Sequence, residues 1–190
     1  MSNWPFGDLR PLSYSVILAD PPWRFENWSR KGEHKGAAAQ YDCMALQDIA
    51  QLPVGHLAAP DATCIMWATF PMLREAVALM EAWGFTFKTG GAWAKQSCTG
   101  ASWSFGTGYI YRGASELWLL GTIGKPRVRS RSIRNLIVAP VREHSRKPDQ
   151  MHEDIERLYP GPYCELFARE RRPGWDAWGN ETDKFERKAA

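Results

Sequence analysis

The sequence predicts an α/β sandwich built on a mostly parallel sheet. Short apolar runs of strand length alternate with amphipathic helical patterns, the order expected of repeated strand–helix–strand units. At 190 residues the chain can bury a full core as one domain, and 44% hydrophobic with 24% charged residues is ordinary globular composition. A single domain over 1–190 is therefore expected.

The elements justify this in order. Ser15–Ala19 has the length and branched residues of a strand buried on both faces. Met44–Leu52 reads as a short helix ended by Pro53. Ala62–Ala68 and Phe85–Ala94 read as strands. Between them, Pro71–Trp83 puts Leu73, Val77 and Met80 on one helical face, starts at a proline and stops at Gly84. Ser115–Leu120, Leu136–Ala139 and Tyr163–Ala168 complete the strands. Pro148–Tyr159 is a helix with Met151, Ile155, Leu158 and Tyr159 on one face. Residues 24–43, 95–113 and 121–135 fit neither pattern, and loops this long in a compact domain tend to be functional. Each follows a strand, so all three are expected on one sheet edge.

The chemistry centres on Asp20-Pro21-Pro22-Trp23, at the end of the first strand. Open α/β sheets bind ligands outside the carboxyl ends of their strands. Two prolines remove two N–H donors and fix carbonyl acceptors, and Trp23 offers a ring for stacking on a base. A carboxylate, a fixed carbonyl and a flat ring together suit holding an exocyclic amine by both hydrogens. The plainer alternative is a Pro-Pro strand end with Trp23 in the core.

Charge is uneven. From Lys125 to Lys147 eight basic residues face one acid, Glu143, so this window carries +7 in a chain of net +3 and the rest carries −4. Lys125, Arg127, Arg129 and Arg131 are candidate phosphate contacts, the alternative being a solvated loop. Ten tryptophans add aromatic surface, several in polar stretches: Trp23, Trp28, Trp103 and Trp175. Trp67, within a strand, is expected in the core. Cys43, Cys64, Cys98 and Cys164 form no paired spacing and the four histidines no cluster, so neither zinc nor a disulfide framework is expected. With no signal peptide and no apolar run of membrane-spanning length, a cytoplasmic setting without membrane association is the expectation.

Taken in order, several blocks carry a resemblance. They are Val16-Ile17-Leu18-Ala19-Asp20-Pro21-Pro22-Trp23, Ile65-Met66-Trp67, Trp83-Gly84-Phe85, Trp93-Ala94-Lys95, Ser145-Arg146-Lys147-Pro148-Asp149, Ile155 to Gly161, Glu165-Leu166-Phe167-Ala168-Arg169 and Trp178-Gly179-Asn180-Glu181. Over about Asp8 to Asn180 the chain resembles the Asp-Pro-Pro-Trp family of S-adenosylmethionine-dependent adenine-N6 methyltransferases, which includes the catalytic subunit of the eukaryotic mRNA enzyme. The resemblance implies a Rossmann-like methyltransferase sandwich in circularly permuted motif order. It implies S-adenosyl-L-methionine as cofactor, held by Ser145, Lys147, Glu165, Phe167, Arg169, Asn180 and Glu181 together with Asp20. It further suggests Asp8-Leu9 for the cofactor adenine, although the spacing to Asp20 is shorter than in the mRNA enzyme, and Tyr41 for the target pocket. The segment Glu170-Arg171-Arg172-Pro173 is also shorter than in that enzyme.

The implied reaction is methyl transfer to the N6 amine of adenine. Asp20 and the Pro21 carbonyl would accept the amine hydrogens, with Pro22 and Trp23 completing the catalytic motif. DNA is the favoured substrate, single-stranded or with the base flipped out. RNA is the alternative, and a non-catalytic nucleic-acid-binding paralogue that partners an active subunit is a third reading. A homodimer is compatible with the sequence.

Overall fold

The computed structural model describes residues 4–23, 44–106, 108–143 and 145–185. Seven strands form one sheet: β1 Tyr14–Ala19, β2 Ala58–Ala68, β3 Thr86–Gln96, β4 Ser115–Ile123, β5 Leu136–Pro140, β6 Tyr163–Leu166 and β7 Trp175–Trp178, in the order β5-β3-β4-β2-β1-β6-β7. β1 pairs in parallel with both β2 and β6, and β6–β7 and β3–β5 are parallel too. Only β4 runs against its neighbours. The mostly parallel α/β sheet expected from the alternating pattern is what forms.

Helices α1 (Leu46–Gln51) and α2 (Leu73–Ala82) cover one face and α3 (Gln150–Leu158) the other. The α2 face buries Ala76, Leu79 and Met80 against a core that includes Tyr14, Ile17, Ala19, Cys64 and Met66. The opposite core joins Val16, Leu18, Ile65, Trp67 and Trp93 to Met151 and Ile155 of α3. Successive residues of β1 thus point to opposite cores, the period-2 geometry of a strand covered on both sides. Gly91 on β3 is needed for this packing. A Cβ there would lie 2.2 Å from the Trp118 ring of β4.

Three details depart from the sequence reading. β6 stops at Leu166 rather than Ala168 because Phe167 adopts φ 60°, a left-handed conformation that ends a strand. β7, four residues long, is a strand the sequence pattern does not announce. The third is a correction of placement. Because β4 is reversed and runs on to Ile123, the segment expected to be a loop over 121–135 leaves the sheet only from residue 124, at the edge opposite Asp20. Lys125 N–H donates to Asp61 Oδ1 (2.7 Å) beside the start of β2, and Arg129 N–H donates to Leu158 O (2.7 Å) at the end of α3. The basic segment carrying Lys125, Arg127, Arg129 and Arg131 therefore does not gather with Asp20. The described residues of the segment that links β3 to β4, 97–106 and 108–114, do lie at the Asp20 edge.

Candidate active site

Asp20 follows the last residue of β1, between β2 and β6 in the sheet centre. Its N–H donates to Leu166 O at 3.3 Å, which ties it to the end of β6. Its carboxylate does not stand alone. Lys147 Nζ lies 2.8 Å from Asp20 Oδ2 and 3.0 Å from Glu116 Oε1, and Lys95 Nζ lies 2.8 Å from Glu116 Oε2. The result is a row of alternating charge, Asp20–Lys147–Glu116–Lys95, set along the carboxyl edge. The side chains are 14%, 15%, 16% and 26% exposed, so each charge depends on its neighbour rather than on water.

The reversed strand explains the row's composition. The parallel strands deliver their last residues to this edge, so β3 brings Lys95. β4 delivers its first residues instead, which brings Glu116. Lys147 comes from the loop before α3. Arg142 braces that loop by donating to the Lys147 carbonyl and, bidentately, to Asp149 at 2.8 Å. Two tryptophans floor the row, with Lys147 Nζ 5.5 Å above Trp67 and Lys95 Nζ 4.9 Å above Trp93.

Electrostatics follow from this geometry. Burial works against the Glu116 charge, but Lys147 and Lys95 on either side outweigh it and hold the carboxyl down to about 2. Burial likewise opposes the Lys147 charge, and Asp20 with Glu116 raises its pKa above the ordinary lysine value. Both stay ionised at neutral pH. With Lys147 on Oδ2, Asp20 Oδ1 has no hydrogen-bond partner among the described residues, so it remains able to accept a donor.

Beside Asp20 opens a cavity of about 330 Å³. One wall is Asp20, Pro22 and Met44, the other Phe167, Arg169, Asn180 and Glu181 with Trp178. The left-handed turn at Phe167 swings the chain after β6 across the cavity, and Gly179 closes it from the β7 side. A Cβ on Gly179 would lie 2.6 Å from Ala168 O. Arg169 Nε sits 3.8 Å from Glu181 Oε2. Aromatic rings, a guanidinium, an amide and carboxylates in one cleft match the needs of a zwitterionic sulfonium nucleoside such as S-adenosylmethionine. A larger hollow of about 460 Å³ lies near the start of β6 and β7, lined by Glu156, Tyr163, Arg172 and Trp175. Its polar groups are paired with one another, so the chemistry belongs to the Asp20 cleft.

The sequence-derived residues fare unequally. Asp20, Pro22, Phe167, Arg169, Asn180 and Glu181 come together at the cavity. Pro21 is buried, and its carbonyl accepts the Trp23 N–H at 2.8 Å. Lys147 binds Asp20 and Glu116 rather than lining the cleft. Glu165 also lies off the cleft. Its side chain is on the α3 side of β6, 2.8 Å from His152 Nε2. Leu9 is buried in the core, Asp8 is exposed and Ser145, which turns at φ 67°, is half-buried, and neither Asp8 nor Ser145 lines the cavity. Trp23 requires a correction. Its side chain is 4% exposed and its indole N–H donates to Trp67 O at 3.1 Å, so the ring is used in packing and not presented to a base. Tyr41 lies outside the described residues. Glu116 was not anticipated, nor was the joining of Lys95 to the row. The available signal was a lone acid opening an apolar strand.

No helix among the described residues is long and apolar enough to cross a membrane. The family model described as MT-A70 matches residues 14–181. The chain is 30% identical to the type II methyltransferase M.MunI of Mycoplasma sp over 194 residues, covering 93% of this chain and 81% of that protein. It is 30% identical to the N(6)-adenine-specific methyltransferase METTL4 of Mus musculus, covering 92% of this chain and 38% of that protein. It is 28% identical to the N(6)-adenosine-methyltransferase subunit METTL3 of Danio rerio, covering 96% of this chain and 31% of that protein. A match from the start of β1 to Glu181 takes in every strand and the whole wall of the cleft, and on it the chain belongs to the MT-A70 family.

Proposed function

We propose that this protein transfers a methyl group from S-adenosyl-L-methionine to the exocyclic N6 amine of adenine in DNA. The observation that carries the proposal is the Asp20 carboxylate, anchored by Lys147 at 2.8 Å, on the rim of a cleft walled by Phe167, Arg169, Asn180 and Glu181. When bound there, the cofactor supplies an electrophilic methyl on a sulfonium. Arg169 and Glu181 suit its charged end, and Asn180 and Phe167 its base and ribose.

The chain's own residues hold the acceptor. The N6 lone pair of adenine is delocalised into the ring, so the amine is a weak nucleophile. Asp20 Oδ1 accepts one amine hydrogen. The Pro21 carbonyl, with one lone pair taken by Trp23 N–H, keeps a second for the other hydrogen. These two acceptors draw the nitrogen toward tetrahedral geometry and aim its lone pair. Positive charge would grow on the nitrogen as it takes the methyl group that the cofactor would supply, and the fixed charge of Asp20 would stabilise that charge without reorganisation. The methylated amine would then shed one of its hydrogens as a proton to solvent and become neutral. Lys147 stops the carboxylate from turning away, and Glu116 with Lys95 holds Lys147. Alignment of the two reactants supplies much of the remaining acceleration.

The match with M.MunI over most of both lengths supports DNA. The names of the adenosine methyltransferase relatives support RNA as a second reading. Methyl transfer from labelled cofactor to sequence-matched single-stranded DNA, duplex DNA and RNA tests both. N6-methyladenine in DNA is the expected product. Product in RNA alone establishes the second reading, and cofactor binding without transfer to any substrate indicates a non-catalytic paralogue.

A further inference from the structure

The hairpin between β3 and β4 carries large apolar side chains that the fold leaves in solvent. Trp103 is 60% exposed, Phe105 66%, Tyr109 67% and Tyr111 88%. The segment is ordered by its own backbone. Gln96 bridges to Trp103 and Gly106 to Gly113, Ser97 N–H donates to Ser102 O at 2.8 Å and Gly106 N–H to Gly113 O at 2.9 Å. We propose that this hairpin is a stacking platform for the single-stranded nucleotides that flank the target adenine. The proposal rests on the methyltransferase reading above and gives that site its substrate-docking surface.

Three observations converge on it. The first is position. The hairpin grows directly from the ion row, since Lys95 N–H donates to Ala114 O (2.9 Å) and Ser104 N–H to Lys95 O (2.8 Å), with Glu116 two residues beyond. At a strand spacing of about 4.8 Å its root stands roughly 10–15 Å from Asp20 along the edge, the strip that flanking nucleotides must cross. The basic segment is at the other edge and cannot serve there. The second is charge. Residues 97–114 contain no acid, and Arg112 places its guanidinium 6.0 Å from the Phe105 ring centre, joining a cation to a π face. The third is side-chain type. The exposed set is four flat rings and one aliphatic, Ile110, on a ribbon of glycine and serine. Rings can stack on any base whatever the sequence.

The test is a titration of single-stranded DNA of about 12 nucleotides, within the usual single-strand site size, carrying one adenine and followed by fluorescence anisotropy. Trp103→Ala and Tyr111→Ala should each weaken binding roughly five- to a hundredfold, the range of a lost base–aromatic stack. Trp103→Phe and Tyr111→Phe should retain most of the affinity. KM for the oligonucleotide should rise in the alanine variants, while kcat at saturation and the cofactor dissociation constant, which also reports folding, stay at wild-type values. Unchanged oligonucleotide affinity in both alanine variants overturns the proposal. So does a sedimentation shift from dimer to monomer in those variants without loss of oligonucleotide binding, which would make the hairpin a contact between two copies of the chain. A wild-type protein that binds neither this oligonucleotide nor its RNA counterpart removes the methyltransferase reading with it. Binding that survives the substitutions removes the hairpin alone.

Discussion

At the scale of single residues, the site depends on a carboxylate held in place by a cation. Asp20→Asn keeps the size of the side chain but removes the charge that meets the developing positive nitrogen. Turnover should fall on the order of a hundred- to a thousandfold, as when a preorganised electrostatic group is lost, with cofactor affinity nearly unchanged by calorimetry. Near-wild-type turnover would end the proposed mechanism. Lys147→Ala and Arg169→Ala should separate two functions. Arg169 lines the cleft, and losing a charge-assisted bond of about 1.5–3 kcal/mol predicts a tenfold to hundredfold weaker cofactor. Lys147 touches Asp20 and Glu116 instead, so its loss should lower kcat more than cofactor affinity. The reverse pattern would place Lys147 in the cleft after all. Asp20 was legible in the sequence because a buried strand and two prolines announce it locally. Glu116 and the role of Lys95 were not, because an ion row is assembled from β3, β4 and a loop 127 residues from Asp20, and no spacing encodes that. Trp23 misled because an aromatic after a catalytic motif reads the same whether its indole faces a ligand or donates to Trp67 O.

At the scale of elements, one reversed strand decides which surface can meet a substrate. Branched apolar runs made β1 and β2 legible, and helical periodicity made α2 and α3 so. Strand direction is not a property of a segment but of its pairing, and pairing of β4 with β2 and β3 is non-local. Reading the basic segment onto the Asp20 edge failed for that reason. β7 was missed because four residues carry too little periodicity, and its place is fixed by pairing with β6. The consequence is measurable. Replacing Arg127, Arg129 and Arg131 together by alanine should leave unchanged the salt dependence of binding to a short single strand centred on the target. If those arginines held its phosphates, the log–log slope would fall by roughly 0.7 per contact. A flattened slope would show that even short substrates reach the far edge.

At the scale of the whole molecule, the ion row also contributes to the stability of the fold. The Glu116 carboxyl lies at about 2 when folded against an ordinary value of 4.5. Its contribution is therefore present above pH 4.5 and lost as pH falls toward 2. The shift corresponds to about 3 kcal/mol at most. Glu116→Gln should lower the urea midpoint at pH 7, and the gap to wild type should narrow steadily below pH 4.5. A gap independent of pH would show that the glutamate acts by shape alone. The row has a further consequence through the position of β1, which pairs with the early strand β2 on one side and the late strand β6 on the other. A chain cut in the exposed stretch between Arg127 and Val128 would yield two incomplete halves. The first holds Asp20, Lys95 and Glu116, the second Lys147, Phe167, Arg169, Asn180 and Glu181. Neither half contains both the carboxylate and its cation, so neither should methylate when expressed alone. Mixed together, they can pair β6 against the open flank of β1 and restore Lys147 to Asp20. Methylation would then become a reporter of the meeting of two fragments, because the chemistry is spelled out by residues from both.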